Sequence, residues 1–134
     1  MFSAKHNDAI AYDTLISANT EICGDVHIKG AVHIDGVIKG NLMAEPGSKA
    51  TLRISDKGRV EGSITVPNVI INGQVDGDIH AFEYIELAKK ARITGNVYYA
   101  TMEMVMGAQV NGQLLHNQEP ASAPSAKAAT AKVD

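Results

Sequence analysis

The sequence predicts an all-β fold: a single-domain parallel solenoid, or β-helix, of about six coils with a disordered tail at each end. Three observations predict it. A glycine-spaced motif recurs along the chain, apolar and polar residues alternate with period two, and the flanks are polar with no amphipathic helical segment. The motif is small–x–β-branched–x–Gly–x–aliphatic. It reads Gly36-x-Ile38-x-Gly40-x-Leu42, then Gly58-x-Val60-x-Gly62-x-Ile64, then Gly73-x-Val75-x-Gly77-x-Ile79. It returns as Ala91-x-Ile93-x-Gly95-x-Val97 and Ala108-x-Val110-x-Gly112-x-Leu114. A first copy, Thr20-x-Ile22-x-Gly24-x-Val26, lacks only the small leading residue. The second glycine falls at 24, 40, 62, 77, 95 and 112, in steps of 16, 22, 15, 18 and 17 residues. Self-similarity at this period marks a solenoid.

In chain order, residues 1–14 form a polar tail apart from Phe2, Ile10 and Tyr12. The ordered body runs from 15 to 116. From 22 to 42 the alternation is regular: Ile22, Val26, Ile28, Val32, Ile34, Ile38 and Leu42 fall on even positions, between Asp25, His27, Lys29, His33, Asp35, Lys39 and Asn41. Period two means strand, with one face in the core and one in water. Glycine at 24, 30 and 36 shares the inward parity. Glycine weakens a flat strand, but it suits a sharp bend where another backbone comes close. The spacing predicts three six-residue sides and a coil of about 18 residues. Met43 to Thr51, containing Glu45-Pro46-Gly47-Ser48-Lys49, interrupts the pattern and reads as a loop leaving one corner. The inward set moves to odd positions after Pro67-Asn68 (Val69, Ile71, Val75, Ile79, Ile85, Leu87, Ile93, Val97) and returns to even at Met102 and Met104. A one-residue slip would turn every side chain over, so corners near 67–68 and 99–101 must differ in length by an odd number. Residues 117–134 are rich in Ala, Ser and Pro, bury too little to offset the entropy of ordering, and read as a disordered tail.

Each copy is expected to pair in parallel with the copy one turn later, about 4.8 Å away. Ile22 then stacks toward Ile38, Val60, Val75, Ile93 and Val110. Stability comes from neighbouring coils, because a lone coil has no partner for its backbone. That leaves the two ends, which expose unpaired N–H and C=O groups and an apolar cross-section. The first turn contributes Leu15, Ile16 and Ile22, and the last contributes Met102, Met104, Met106, Leu114 and Leu115. With no cap at either end, the expected cover is another copy of the chain. Association that does not close into a ring gives a filament.

Ile-Ser-Ala-Asn-Thr-Glu-Ile-Cys-Gly-Asp-Val at 16–26 and Val-His-Ile-Asp-Gly-Val-Ile-Lys-Gly-Asn-Leu at 32–42 resemble the opening turns of a bactofilin. The resemblance covers the ordered body, together with short Pro/Ala/Lys-bearing tails around a small uncapped solenoid. It implies a right-handed parallel β-helix. It also implies polymerisation without nucleotide or other cofactor, into non-polar filaments joined head to head and tail to tail. Family members are scaffolds on the inner face of the cytoplasmic membrane and localise peptidoglycan-remodelling enzymes or their membrane anchors. Some carry a short N-terminal membrane-targeting peptide, and Met1-Phe2-Ser3-Ala4-Lys5 is similar to it. Met1, Phe2 and Lys5 are thus the membrane-binding candidates. One buried Phe contributes about 1.5–3 kcal/mol and one Lys near anionic lipid about 1 kcal/mol. The monomer therefore binds weakly, and a filament holds by avidity.

Composition narrows the alternatives. The net charge of −3 and the lack of a basic stripe argue against nucleic acid. The single cysteine, Cys23, excludes an intramolecular disulfide and fits a reducing compartment. No apolar run approaches the ~20 residues of a membrane-spanning helix, and Met1 to Asp8 lack the apolar stretch of a secretory signal, so a cytoplasmic protein is expected. His27 and His33 fall on different sides of the coil, and no histidine cluster has metal-ligand spacing. Hexapeptide-repeat acyltransferases share the six-residue period of Val26-x-Ile28-x-Gly30 and Val32-x-Ile34-x-Gly36. They keep strict sixes, however, and need a catalytic His in an intersubunit cleft. Cys23 has no activating base nearby, and Asp76, Asp78, Glu83 and Glu86 fall on a solvated face. No enzymatic activity is expected.

Overall fold

The computed structural model describes residues 11–116. Coil 1 contains β1 (Thr14–Ile16), β2 (Glu21–Cys23) and β3 (Val26–His27). Coil 2 contains β4 (Ala31–Ile34), β5 (Val37–Lys39) and β6 (Leu42–Met43), and coil 3 contains β7 (Thr51–Ile54), β8 (Arg59–Glu61) and β9 (Ile64–Thr65). Coil 4 contains β10 (Asn68–Ile71), β11 (Gln74–Asp76) and the start of β12 (Ile79–Leu87). β12 bends into coil 5, which continues through β13 (Arg92–Thr94) and the start of β14 (Val97–Met104). β14 bends in turn into the last coil, completed by β15 (Gln109–Asn111) and β16 (Leu114–His116).

Each strand pairs in parallel with its counterpart one coil away. The second side is a six-stranded sheet, β15-β13-β11-β8-β5-β2. The first and third sides join in one ten-stranded sheet because β12 and β14 run round the corner between them. The expected six coils with three sides are thus present, and the described residues form no helix.

In-register pairing stacks like on like. On the second side Ile22, Ile38, Val60, Val75, Ile93 and Val110 lie in one column, as expected. The first side stacks Ile16, Ile34, Ile54, Ile71, Leu87 and Met104. The third side stacks Val26, Leu42, Ile64, Ile79, Val97 and Leu114. The middle four of each column are fully buried. Each contributes roughly 1.5–3 kcal/mol of burial, and β-branched rows pack well on a pleated surface. Among the described residues no polar or charged side chain is buried.

The glycine column marks the corner between the second and third sides. A Cβ on Gly40, Gly62, Gly77, Gly95 or Gly112 would strike the carbonyl oxygen of the glycine one coil earlier. Gly95 also has φ 147°, a conformation that L side chains rarely adopt. Beside it runs a polar ladder. Asp25 Oδ1 accepts the Asn41 N–H (3.0 Å), and Asn41 Oδ1 accepts the Ser63 N–H (2.9 Å). Asp78 Oδ1 accepts the Asn96 N–H (2.9 Å), and Asn96 Oδ1 the Gln113 N–H (3.0 Å). These side chains satisfy backbone donors where the chain turns.

Both parity slips occur where expected, at the corner between the third and first sides. The step from inward residue to inward residue is odd at Ile64–Val69 and Val97–Met102. It is even at Val26–Val32, Leu42–Leu52 and Ile79–Ile85. The change between coils 5 and 6 is the register shift between Ala81 and Tyr84. Residues 44–50 fill the longest of these corners, which is the expected loop.

Outward residues also form columns. The second side carries ion pairs, Lys39–Glu21 (3.1 Å), Arg59–Glu61 (2.9 Å) and Arg59–Asp76 (3.3 Å). As exposed pairs they add little stability. The third side carries His27, Met43, Thr65, His80, Tyr98 and Leu115. The His80 and Tyr98 rings stack with centroids 4.4 Å apart and planes 4° apart. Burial under this stack holds the His80 pKa below its ordinary value, against a weaker opposing pull from Asp78.

Two outcomes follow from this packing. Gly95→Ala must both clash with Gly77 and strain φ, so it should lower stability by about 1–3 kcal/mol or more, whereas Thr94→Ala on the exposed strand face should be near neutral; thermal melts by circular dichroism compare them. For His80 the folded pKa lies below the unfolded one, so the unfolded chain binds more protons in that window. Its contribution is fully present above about pH 6.5 and is lost as the pH falls through the folded value. His80→Gln should flatten that part of a stability–pH curve, and an unchanged slope would contradict the assignment.

Candidate functional site: the terminal coils

The last coil repeats the inward pattern, and among the described residues nothing is stacked on it. Met102 pairs with Ile85, Met104 with Leu87, Val110 with Ile93 and Leu114 with Val97. All four partners are 0% exposed, whereas Met104 is 45%, Leu114 41% and the neighbouring Val105 37% exposed. Met102, Ala108, Val110 and Tyr99 are partly buried against the core beneath. The result is an apolar rung at the rim of both sheets, where, among the described residues, β15, β16 and the Thr101–Met104 half of β14 pair on one side only. His116 pins the final strand: its Nε2 lies 3.0 Å from the Ala100 carbonyl, and its ring packs 5.5 Å from Tyr99.

The first coil presents a different rung. Ile16 is 7% exposed, and Ile22 and Val26 are partly buried against the core. Thr14 occupies the column position that Val32, Leu52, Val69, Ile85 and Met102 fill in later coils. The first end is therefore less apolar than the last.

The structure gathers most of the sequence-predicted residues at these ends, but not all of them on the end faces. Ile16, Ile22, Met102, Met104 and Leu114 lie in inward columns. Leu15 pairs with His33 on the outer surface of the first side and is 62% exposed. Leu115 pairs with Tyr98 on the outer third side. Met106 sits at the tip of a turn and is 87% exposed. Met1, Phe2 and Lys5 lie outside the described residues. Ala108 and Val110, the small and β-branched positions of the sixth motif copy, also belong to the last rung.

The rim beside the last rung is acidic. Tyr84 donates its hydroxyl to Glu103 (2.9 Å) and Glu86 (3.4 Å). Burial, with the Glu103 bond next, pushes the phenol far above its ordinary pKa, so it stays a donor. Elsewhere the titratable groups are spread out. His33 Nε2 meets Asp35 Oδ1 at 2.9 Å and Tyr12 packs edge-on to its ring. Cys23 is exposed, with its thiol 3.7 Å from Glu21. His27 and His33 lie on different sides. Among the described residues no three His, Cys, Asp or Glu side chains converge to hold a metal ion. What the terminal coils can do is add another coil, by burying apolar rungs and pairing open strand edges.

The family model "Bactofilin: Polymer-forming cytoskeletal" matches residues 14–115. The chain is 28% identical over 96 residues to bactofilin BacP of Myxococcus xanthus (strain DK1622), covering 71% of this chain and 40% of BacP. It is 31% identical over 78 residues to bactofilin BacO of the same organism, covering 58% of this chain and 62% of BacO. The chain thus spans less than two thirds of the length of these curated relatives. No solved structure matches it significantly. The matched span is the run of coils from β1 to β16, and on that basis the chain belongs to the bactofilin family of polymer-forming cytoskeletal proteins.

Proposed function

We propose that the protein is a non-enzymatic scaffold subunit that polymerises end to end, without nucleotide, into non-polar filaments at the inner face of the cytoplasmic membrane, where it positions cell-wall and cell-shape factors. The observation that carries this reading is the exposed apolar rung of Met104 and Leu114 above the fully buried Leu87 and Val97 one coil below. Full burial of such a side chain contributes roughly 1.5–3 kcal/mol. A two-fold contact uses each residue twice, which sets the gain against an association cost of about 4–15 kcal/mol. Unlike ends favour like-with-like joining. The last rung contains Met102 and Met104, whose flexible thioethers adapt to a copy of themselves, whereas the first rung is a flatter row of Ile16, Ile22 and Val26. The family membership supports the same assembly.

Membrane attachment is assigned to Met1, Phe2 and Lys5, multiplied along the filament. The loop at 43–51 and the Ala/Pro-rich segment 117–134 are assigned to spacing and partner choice.

Met104→Arg and Leu114→Arg should each give folded protein that stops at short oligomers, because an unpaired charge in a closed rung costs several kcal/mol. Leu15→Arg on the outer face should leave filaments at normal length. Negative-stain microscopy and sedimentation read both, and normal filaments from the two rung variants would contradict the end assignment. Deleting residues 2–5 should release intact filaments from membranes, and undiminished pelleting with membranes would remove that peptide's role.

A further inference from the structure

The corner between the first and second sides is uneven. It takes residues 35–36 and 72–73 in coils 2 and 4, but 17–20, 55–58, 88–91 and 105–108 in coils 1, 3, 5 and 6. The longer corners carry exposed turn tips, the uncharged Ala18-Asn19 in coil 1 and then Asp56-Lys57, Lys89-Lys90 and Met106-Gly107. An ion pair and hydrogen bonds between coils tie the last three into one ridge. Lys90 Nζ spans the short corner of coil 4 to Asp56 Oδ2 (3.5 Å), and the Lys90 N–H donates to Asn72 Oδ1 (2.9 Å). Arg92 Nη1 donates to the carbonyls of Ala91 (2.9 Å) and Gly107 (3.2 Å), linking coils 5 and 6. The ridge therefore shows Lys57, Lys89, Lys90 and Arg92 against the two carboxylates of Asp56 and Asp35, the latter beside Lys57 and bonded to His33 at 2.9 Å, on a chain whose net charge is −3. On the second side, the nearby Glu61 and Asp76 are paired with Arg59. On the first side, Glu86 and Glu103 are bonded by Tyr84. At the end of the ridge Met106 is 87% exposed.

The geometry points to this ridge as a second membrane contact, on the ordered body itself, for a bilayer surface rich in anionic headgroups. Lys57, Lys89, Lys90 and Arg92 meet the headgroup phosphates and carboxylates, and Met106 enters the apolar layer beneath them. The exposed thioether selects a lipid surface over another polyanion, because a phosphate backbone offers nothing for an apolar tip. Juxtaposed basic residues gain from the negative surface potential within a Debye length. A filament presents the ridge once per subunit, so weak contacts add by avidity. The inference rests on the membrane-associated filament proposed above but not on its N-terminal peptide. It also gives Met106 a role apart from the rung of Met104 and Leu114.

The test is flotation of the full chain with phosphatidylcholine vesicles, with and without phosphatidylserine, at low and high salt. Four variants accompany it: deletion of residues 2–5, Lys57→Glu/Lys89→Glu, the neutral pair Lys57→Gln/Lys89→Gln, and Met106→Ser. Lys90 is kept because it pairs with Asp56. The deletion should retain a salt-sensitive share of binding to phosphatidylserine vesicles. Adding the charge reversal to the deletion should cut that share about tenfold or more with filaments still visible, and the neutral pair should cut it less. Met106→Ser should weaken binding a few-fold without changing its salt dependence. If the deletion alone abolishes binding to anionic vesicles, or the lysine variants float like their parent, the ridge is not a membrane contact. Loss of retention on DNA with no change in vesicle binding would assign the lysines to another polyanion and overturn the proposal. Binding that is unaffected by the deletion but lost with the lysines would refute the N-terminal peptide alone.

Discussion

Everything in this molecule follows from hydrogen bonding along the solenoid axis. Each coil satisfies its backbone through the coil before and the coil after, at the spacing of parallel strands, about 4.8 Å. In-register pairing forces equivalent residues into columns, so Ile38, Val60, Val75 and Ile93 must each fit the same place in successive coils. It also forces the backbone at the corner glycines into near contact, which leaves no room for a Cβ. The core is therefore narrow, aliphatic and nearly free of large rings, with Tyr99 and Phe82 confined to its margins.

The same constraint defines the ends. A stack of identical rungs has no intrinsic stopping point, and a terminal coil looks to its surroundings like an interior coil with one neighbour removed. The last coil shows this directly: the pattern that buries Leu87 and Val97 completely leaves Met104 and Leu114 almost half exposed. Polymerisation by a bactofilin is in this view an extension of the folding interaction past the end of one chain, with the terminal rungs as the contact. The outer columns are free to vary, because no coil depends on them. One side is laced with ion pairs, another carries the His80–Tyr98 stack, and one corner carries the lysine ridge.

Much of this was legible in the sequence because the repeat encodes register directly. The spacing of glycines from Gly24 to Gly112 defines the coils, and parity alone located the corners after Ile64 and Val97 where one residue is gained or lost. The same parity rule also contains what was missed at the ends. Leu15 sits on an odd position in an even-inward stretch, and Leu115 follows inward Leu114, so both face outward despite their apolar side chains. Burial preference favoured them, and register overruled it. Met106 shares the inward parity of Met104 but falls in a four-residue corner, where alternation no longer applies. The uneven corner lengths, which bring Lys57, Lys89 and Lys90 onto one ridge, have no signature in the local pattern. Those lysines lie in separate motif copies and meet only through stacking.

The central claim is that the terminal rungs are completed by another copy of the chain. Light scattering of the purified full chain, without nucleotide and across a wide concentration range, addresses it most directly. The account predicts a mass that climbs far above the 14.2 kDa subunit as concentration rises, with filaments in the same sample. A well-folded species that held the subunit mass at the highest concentration would contradict it.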